Sequence, residues 1–342
     1  MAKASPPAAS IPSSSPGPSG AEVAGLVLFA ERVDWHSRSL LAAIKARGHT
    51  ARVISLKACG FAVGETAHGL LLPGFADNLP DACFVRSVPA GTLEQVTARL
   101  GVLHALRKMG VRVMNDARAI ERCVDKSATT FLLARAGLPT PRTLVLEDRA
   151  AAQMIIDAAP GDSVLKPMFG AQGRGLMRLA PKARLPEAEE VGGVYYLQDF
   201  VSAPSGTGPS GTHEDFRVFV VGGRAEAAMA RRGTSWITNI HQGATGLEVA
   251  AEGQLADLAV RAAAAVGASY AGVDLIADAE GRLTVLEVNS MPAWRGLHDA
   301  TGRNMAEPLA AHLVAEPVAA YAPGWPVRFK ENRACASSSA SS

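Results

Sequence analysis

The sequence predicts an α/β domain followed by a larger α+β region in a chain of 342 residues, a length that suits two or three domains. Two observations predict this order. From residue 21 to about residue 115, short apolar runs alternate with amphipathic helices, which is the strand–helix–strand pattern of a parallel sheet. After Gly137, strand-like segments joined by glycine-rich turns follow one another with one helix among them, which favours an α+β domain over a doubly wound sheet.

The first domain opens with the apolar run Val23–Phe29, which predicts a buried strand. The helix that follows ends at Gly48, and a second strand comes next. A second helix begins at the capping box that Thr92 forms with Gln95, and another strand follows its end. We therefore expect residues 21–115 to form one small α/β domain.

Composition narrows the class of protein. Hydrophobic residues make up 48% of the chain, but no run of 18 or more apolar residues lacks a charge, so we expect no membrane span. The net charge of +2 argues against a strongly electrostatic nucleic-acid binder. None of the four cysteines forms a CxxC pair and the histidines lack zinc spacing, so we expect reduced thiols, no zinc site and a cytoplasmic location. Residues 1–20 and 316–342 are expected to be disordered tails.

The strongest local signal is the segment VDLIADAEGRLTVLEVN. A turn in its middle folds the strand of Asp274 back, antiparallel to the strand of Glu287 and Asn289. Because side chains alternate along a strand, Glu287 and Asn289 share one face, and we expect the opposite face to carry the apolar neighbours Leu286 and Val288. Two carboxylates and an amide oxygen predict an Mg²⁺ site, since this ion prefers hard oxygen ligands. The alternative is an ordinary hairpin with a solvated polar face.

A glycine-rich loop follows a predicted strand that ends at Lys166. Gly170, Gly173 and Gly175 would let its backbone approach phosphate oxygens closely, and Gln172 lies among them. The loop is neither a Walker A motif nor the opening of a Rossmann helix. The alternative is a flexible hairpin tip.

A third helix is expected from about Asp125, its N-cap, to Gly137. Lys126 lies just inside its start, where the helix dipole favours anions over cations. A bound phosphate would explain a lysine at this place, because helix N-termini attract anions. The alternative is a solvated lysine.

Charged side chains also line up further along the chain. Asp215 and Arg217 share a strand face, and Arg231 follows across a predicted hairpin. Arginines placed in this way could neutralise phosphate charge during its transfer. The alternative is a surface ion pair, which contributes little to stability.

The specific feature is the order of these motifs. They are, in chain order, Lys126, Lys166 with its glycine loop, Gln198-Asp199-Phe200-Val201, Asp215-x-Arg217, Ala-Met-Ala-Arg231, Thr238-Asn239, Asp274 and Glu287-Val-Asn289. This order resembles the RimK-type ATP-grasp ligases, a group with enzymes that add glutamate to a ribosomal protein, to a deazaflavin coenzyme and to tetrahydromethanopterin. The resemblance implies an ATP-grasp fold with a pre-ATP-grasp domain at 21–115, a central subdomain at 116–197 and a C-terminal subdomain at 198–315.

The resemblance also implies nucleotide-binding positions. Lys126 and Lys166 would contact ATP phosphates, Asp199 and Phe200 would lie in the hinge that holds adenine, and Asp215 would face the ribose. The full set is Lys126, Lys166, Gly170, Gln172, Gly173, Gly175, Gln198, Asp199, Phe200 and Asp215. One departure is the segment between Val201 and Asp215, which is longer and richer in glycine and proline than in the family and is expected to be a mobile loop.

Catalytic and metal positions follow from the same resemblance. Arg217 and Arg231 would clamp the transferred phosphoryl group and the carboxylate, and Asn239 would lie near the phosphates. Two Mg²⁺ or Mn²⁺ ions would be held by Asp274, Glu287 and Asn289, and Glu287 would bridge the two ions.

The function that the resemblance implies is an ATP-dependent carboxylate–amine ligase acting through an acyl-phosphate. We expect glutamate to be added to a small cofactor such as a tetrahydromethanopterin-type C1 carrier, since the first domain is apolar and helix-rich rather than basic. The alternatives are a ribosomal-protein or peptide C-terminus as acceptor, a kinase of the same fold, and a non-catalytic ATP-binding regulator. We expect no nucleic-acid or membrane partner, and by analogy with the family a homodimer or homotetramer.

Overall fold

The computed structural model of the chain describes residues 25–76, 78–170, 173–201 and 213–315. Three features predicted from the sequence therefore lie outside the described residues. They are the two tails, Gln172 of the glycine loop, and most of the segment between Val201 and Asp215.

The first part of the chain forms a parallel sheet with helices packed on it, as predicted. Its elements are β1 Leu26–Phe29, α1 Trp35–Ala46, β2 Ala51–Ile54, β3 Gly60–Phe61, β4 Leu70–Leu71, β5 Ala82–Val85, α2 Leu93–Lys108 and β6 Arg112–Met114. The sheet has the order β2-β1-β5-β6, while β3 and β4 form a separate antiparallel pair. All residues of β1 and β5 are buried, which explains why these strands are continuous apolar runs rather than alternating ones. The predicted capping box of Thr92 and Gln95 is present at the start of α2.

The middle part of the chain contains a four-stranded antiparallel sheet, which we call the central sheet, with the order β7-β10-β8-β9. Its elements and the helices before it are α3 Ala117–Val124, α4 Lys126–Arg135, β7 Thr143–Leu146, α5 Arg149–Asp157, β8 Ser163–Lys166, β9 Met177–Leu179 and β10 Tyr195–Asp199. The predicted third helix is α4, with Asp125 as its N-cap. The sequence analysis did not predict α3 or α5.

The last part contains a five-stranded antiparallel sheet, which we call the C-terminal sheet, with the order β13-β12-β11-β14-β15. Its elements are β11 His213–Val221, β12 Arg224–Gly233, β13 Thr245–Val249, α6 Gly253–Val266, β14 Tyr270–Ala277, β15 Leu283–Asn289, α7 Arg295–Thr301 and α8 Ala306–Val314. Together with the parallel sheet, these two antiparallel sheets give the mixture of α/β and α+β architecture that the sequence predicts.

Packing joins these parts unequally. One buried cluster combines Leu40 of α1 with Phe219 of β11 and Leu309 of α8. A second cluster places Leu133 of α4 beside α6 and the C-terminal sheet, so α4 packs with that sheet although it precedes the central one in sequence. The central sheet and α5 have a cluster of their own.

A buried asparagine ties the parallel sheet to the C-terminal sheet. The Asn115 side chain, just after β6, donates to the carbonyls of Tyr270 at 2.7 Å and Ser290 at 2.6 Å, and accepts from the Ser269 amide at 2.6 Å. Both N–H groups and the oxygen of this side-chain amide therefore have hydrogen-bond partners, as is usual for a buried polar group. Within the described ranges, no helix is long and apolar enough to cross a membrane.

Candidate active site

A cleft opens between the central sheet and the C-terminal sheet. One wall comes from β8, β10 and the residues after them, and the other from β11, β12, β14 and β15. The cleft brings together ten of the residues singled out from the sequence: Lys166, Gly173, Gln198, Asp199, Phe200, Asp215, Arg231, Asn239, Asp274 and Glu287. Residues that are far apart in the sequence and were predicted to belong to one site therefore line the same cleft.

Two arginines and two aspartates form a chain of alternating charge on the C-terminal sheet. Arg217 lies opposite Asp274 across β11 and β14, and its Nε and Nη2 donate to the two carboxylate oxygens at 2.6 Å each. Arg231 lies opposite Asp215 across β11 and β12 and donates through Nε to Asp215 Oδ1 at 2.7 Å. Its Nη2 also lies 3.2 Å from Asp274 Oδ2. Asp215, Arg231 and Asp274 are buried and Arg217 is partly buried, unlike the surface ion pair that was the alternative.

Burial and neighbouring charges set the pKa values of the two aspartates. Burial raises the pKa of Asp215 above its ordinary value, and the nearby Asp274 carboxylate adds to this while Arg231 opposes it. Burial also acts to raise the pKa of Asp274, but Arg217 and Arg231 together lower it below its ordinary value. Asp274 is therefore held as a carboxylate by two guanidinium groups.

The predicted metal-binding residues meet at the junction of β14 and β15. Glu287 lies opposite Asp274 in the strand register, and Asn289 lies opposite Gly272. In the amide orientation that satisfies both neighbours, Asn289 donates to Glu287 Oε1 at 2.9 Å and accepts from Arg217 Nη2 at 3.2 Å. The hairpin prediction is confirmed, with its turn closed by the Asp278 side chain.

This donor set fits a divalent cation. Glu287 has no ion pair with any residue that the structure describes, so its carboxylate charge is available in the cleft. Asp274 and the Asn289 amide supply further oxygens of the hard type that Mg²⁺ prefers. The described residues contain no group of three or more His, Cys, Asp or Glu side chains that could hold a metal, so any cation here depends on the amide as third protein ligand, or on substrate oxygens.

One prediction about this hairpin is wrong. Leu286 was expected on the face away from Glu287, but both side chains line the cleft. The strand register shifts between Asp274 and Leu275, because Asp274 pairs with Glu287 whereas Leu275 pairs with Val285. Leu286 is the extra residue of this β-bulge, and a bulge interrupts the regular alternation of faces.

Two lysines near the opposite wall have neutral partners, Lys166 on the central sheet and Lys126 on α4. Lys166, at the end of β8, donates to Gln198 Oε1 at 2.6 Å. Burial lowers the pKa of Lys166 to about 8, although the negative charge of Glu287 acts in the opposite direction and raises this pKa. Lys126 reaches across to the glycine loop and donates to the carbonyls of Gly170 at 3.0 Å and Met168 at 3.4 Å.

The glycine loop needs its glycines at two positions. Gly173 and Gly175 have φ values of +69° and +70°, in the left-handed region that favours glycine. A Cβ on Gly173 would lie 2.7 Å from Ile237 Cγ2 and 2.9 Å from Gln242 Nε2, so this glycine also permits close approach of the loop to the other wall.

The predicted hinge residues follow β10. The Phe200 ring lies edge-on to Trp236 at 5.9 Å and beneath the Arg178 guanidinium at 3.9 Å, while Asp199 is 3.7 Å from Arg142. Asn239 lines the cleft, and its Oδ1 accepts from the His241 amide at 2.9 Å and caps a short 3₁₀ turn.

Tyr196 and Trp236 are two further residues of the site that were not assigned to it from the sequence. The Tyr196 hydroxyl contacts Gln198 Nε2 at 3.3 Å and Thr130 Oγ1 at 2.7 Å, and so helps to orient the amide that holds Lys166. Its spacing of two residues from Gln198 on one strand could have revealed it. Trp236 lines the cleft beside Phe200, but no local pattern distinguishes it from a packing residue.

Comparison with known proteins gives consistent matches. The family description "RimK-like ATP-grasp domain" matches residues 123–313, and "RimK PreATP-grasp domain" matches residues 26–120. Tetrahydromethanopterin:alpha-L-glutamate ligase of Methanosarcina acetivorans is 31% identical, with 82% of this chain and 95% of the relative covered. A probable alpha-L-glutamate ligase of Xanthomonas campestris is 33% identical, with 82% and 94% covered. The ATP-grasp ligase PsnB, solved with a phosphomimetic precursor variant, Mg and ADP, has a TM-score of 0.68 at 24% identity, with 86% and 98% covered, which shows the fold.

Proposed function

Because the chain belongs to the RimK-like ATP-grasp family of ATP-dependent ligases, we propose that it joins L-glutamate to the carboxylate of a small cofactor through an acyl-phosphate. The observation that carries this proposal is the cleft itself. Cationic side chains with neutral partners face a wall that carries Glu287 and the paired arginines. Such a space suits a polyphosphate and its metal on one side and a carboxylate on the other.

The nucleotide would occupy the space beside the central sheet. Lys166 and Lys126 would bind phosphate oxygens in place of the neutral oxygens that they contact in this structure. The Phe200 and Trp236 rings offer an apolar surface for adenine at the other end. Asp215 is used by Arg231, so its contribution to ribose binding would require an oxygen lone pair that the arginine leaves open.

Asp274, Glu287 and Asn289 would hold Mg²⁺, and we propose that they bind two ions. When bound, Mg²⁺ neutralises the charge on the phosphate oxygens and withdraws electrons from the transferring phosphorus. Asp274 must share its oxygens with Arg217 and Arg231. The same contacts fix the carboxylate in one orientation.

The arginines can act on the reacting groups without leaving Asp274. Arg217 uses Nε and Nη2 for its contacts among the described residues, and Arg231 does the same, so Nη1 of each remains for a ligand oxygen. The acceptor carboxylate would attack the γ-phosphorus, ADP would leave, and the glutamate amine would then displace phosphate from the acyl carbon. Arg231, buried and immobile, would bind the oxyanion that forms in this second step.

The relatives support the identity of the amine and the acceptor. Three relatives named tetrahydromethanopterin:alpha-L-glutamate ligase are 31–35% identical to this chain. We therefore propose a reduced pterin C1 carrier as the acceptor class. A homodimer or homotetramer stays a prediction from the family resemblance.

A turnover assay tests this proposal. Purified protein is incubated with ATP, Mg²⁺, L-glutamate and tetrahydromethanopterin, and ADP, phosphate and product mass are followed. We expect phosphate release only when acceptor and glutamate are both present, with a product heavier by one glutamyl unit. ATP consumption without glutamate that phosphorylates the acceptor would instead indicate a kinase, and no turnover with any carboxylate acceptor would contradict the ligase.

Glu287→Gln and Glu248→Gln provide a matched pair for that assay. Glu287 lies in the cleft, whereas Glu248 is exposed on β13. The first substitution should abolish turnover because it removes the one carboxylate without a cationic partner at the site, and the second should leave turnover unchanged. Equal activity of the two variants would contradict the metal-binding role.

A further inference from the structure

A cluster of polar side chains, which we call the Arg86 cluster, lies at the carboxyl ends of β1 and β5 and consists of Asp34, His36 and Arg86. The chain leaves β1 toward β2 on one side of the sheet and enters β5 on the other, so the strand order reverses between β1 and β5. In open α/β sheets, ligands bind outside the carboxyl ends of the strands at such a reversal. Arg86 is the first residue after β5, and its amide donates to the Phe29 carbonyl at the end of β1 at 2.9 Å.

The Arg86 guanidinium is poorly satisfied for its burial. Its side chain is 16% exposed, the same fraction as that of Arg217. The Arg217 guanidinium donates two 2.6 Å hydrogen bonds to a carboxylate. Among the described residues, the Arg86 guanidinium donates a single hydrogen bond, of 3.4 Å, to the Met291 carbonyl. An arginine has five N–H donors, and leaving buried donors unpaired costs free energy. Arg86 therefore has donors for a carboxylate that no described residue fills by a hydrogen bond, since its ion-pair partner Asp34 lies 3.9 Å away.

Unpaired polar atoms concentrate around this arginine. In the described part of the chain, four buried side-chain polar atoms have no hydrogen-bond partner, and three of them are Arg86 Nε, Trp294 Nε1 and His298 Nδ1. The Arg86 guanidinium lies 5.6 Å from the centre of the Trp294 ring. His298 lies in the same region, since its ring lies 5.4 Å from Trp35, which neighbours Trp294 at 6.5 Å. Such a concentration is typical of a site that a ligand or water completes.

The nearest carboxylate does not neutralise Arg86 by a direct hydrogen bond. Asp34 caps α1 through the Ser37 amide at 2.8 Å and contacts His36 Nδ1 at 3.2 Å, and it lies 3.9 Å from Arg86 Nη2. His36 is in turn fixed by the Trp294 amide, which donates to its Nε2 at 3.2 Å. Asp34 and His36 thus lie beside Arg86 and leave its guanidinium without a hydrogen-bonded carboxylate among the described residues.

The Arg86 cluster lies close to the end of β15, which carries Glu287 and Asn289. The Met291 carbonyl that Arg86 contacts lies two residues after Asn289, a distance of at most about 7 Å along the chain. The next residue, Pro292, lies against Gly272 of β14, where an added Cβ would be 2.9 Å from Pro292 Cβ and 3.7 Å from Arg217 Cδ. A substrate held at Arg86 would therefore extend toward Arg217.

We propose that Arg86 binds a substrate carboxylate that is not itself activated, either that of glutamate or a second carboxylate of the acceptor. This assignment rests on the proposed function for the identity of the ligand, but the carboxylate chemistry follows from the planar fork of donors alone. Arg86 binds this carboxylate, and the chemistry takes place in the cleft.

Direct binding measurements test this site without depending on turnover. Calorimetry of the full chain with Mg²⁺ and a non-hydrolysable ATP analogue gives the Kd of L-glutamate and of tetrahydromethanopterin for wild type, Arg86→Gln, Arg86→Lys and Arg38→Gln. Arg38 is an exposed arginine of α1 and serves as the matched control. Arg86→Gln should raise one of the two Kd values by about tenfold to a hundredfold, the worth of charge-assisted hydrogen bonds, and leave nucleotide affinity unchanged. Arg86→Lys should restore the affinity in part, because it keeps the charge and loses the fork.

The ligand whose Kd rises identifies the source of the carboxylate. Unchanged Kd values for both ligands in a folded Arg86→Gln protein, or an equal change in Arg38→Gln, would overturn the assignment. If wild type binds neither ligand, the proposed function fails, and glutarate binding followed by NMR then decides the site. Glutarate signals should be perturbed by wild type and Arg38→Gln but not by Arg86→Gln, and their absence with wild type would overturn the carboxylate site as well.

Discussion

The two walls of the cleft hold their cations in different ways. On the C-terminal sheet, Arg217 and Arg231 are paired with buried carboxylates in rigid bidentate contacts. On the central sheet, Lys166 contacts the Gln198 amide oxygen, and Lys126 of α4 contacts backbone carbonyls of the glycine loop that follows β8. The first arrangement fixes charge in place, and the second leaves it ready for an incoming anion. The difference indicates that one wall is built for geometry and the other for phosphate affinity.

The largest expected effect comes from replacing Asp274. Asp274→Asn leaves two buried guanidinium groups short of a carboxylate, which should lower the free energy of unfolding by about 3–5 kcal/mol, as for other broken buried ion pairs. Turnover should fall below detection. Asp257→Asn on α6 is the control, since Asp257 is exposed and pairs with Arg261 at the surface, where the change should stay within about 0.5 kcal/mol. Urea unfolding measures both, and equal midpoints would contradict the rigid wall.

Removal of Lys166 should have the opposite signature. Lys166→Met deletes a buried charge whose partner is a neutral amide, so the free energy of unfolding should be unchanged or rise slightly. ATP affinity should fall by about tenfold to a hundredfold, because a charged hydrogen bond to phosphate is lost. Lys45→Met, at an exposed position of α1, should change neither quantity. A large loss of stability in Lys166→Met would show that the lysine serves the fold.

The pH dependence of ATP binding sharpens the same point. Burial lowers the pKa of Lys166 from 10.5 to about 8, so above pH 8 the folded protein loses a proton that the unfolded chain keeps up to about pH 10.5. The unfolded state then binds more protons, so this residue makes stability rise with pH across that window, with its unfavourable contribution fully present below pH 8. ATP affinity should fall over the same window, since only the protonated amine attracts phosphate.

Calorimetry in buffers of different ionisation enthalpy should therefore show proton uptake on ATP binding near pH 8. Lys166→Arg should remove both the uptake and the loss of affinity, because arginine stays protonated. An unchanged proton uptake in that variant would assign the titration to another group.

The smallest expected effect concerns the loop between the walls. Gly173→Ala introduces a Cβ at a φ of +69° and against Ile237, whereas Gly192→Ala introduces one at +66° with no atom within 4 Å. Each should cost about 1–2 kcal/mol of local strain. Only Gly173→Ala should also slow turnover several-fold by holding the loop away from the opposite wall. Similar turnover in the two variants would mean that the loop does not close on the cleft.

Local signals predicted much of this structure. The alternation of β15 and the turn before it placed Glu287 opposite Asp274, and the capping box fixed the start of α2. Helix α5 was missed although Asp148 caps it and alanines follow, so that signal was present in the sequence.

Other features depend on contacts that no local pattern encodes. The pairing of Arg217 with Asp274 joins residues that are 57 positions apart, and the contact of Arg86 with Met291 joins residues that are 205 apart. The bulge at Leu286 arises from the register of two strands, which a single strand's alternation cannot reveal. Roles at a site can thus be inferred from motif order, but charge pairing and register require the fold.

The shared cores bear on how this molecule moves. The parallel sheet and the C-terminal sheet are joined by a common buried cluster and by Asn115. Separating them would expose apolar surface and break the hydrogen bonds of the buried Asn115 amide. The central sheet has its own cluster and contributes one wall of the cleft. Opening of the cleft should therefore cost the least free energy when the central sheet rotates away from the other two sheets. We then expect β7, β8 and β10 to exchange their amide hydrogens as one unit. The Arg86 cluster lies at the edge of the parallel sheet, so it would keep its shape whether the cleft is open or closed.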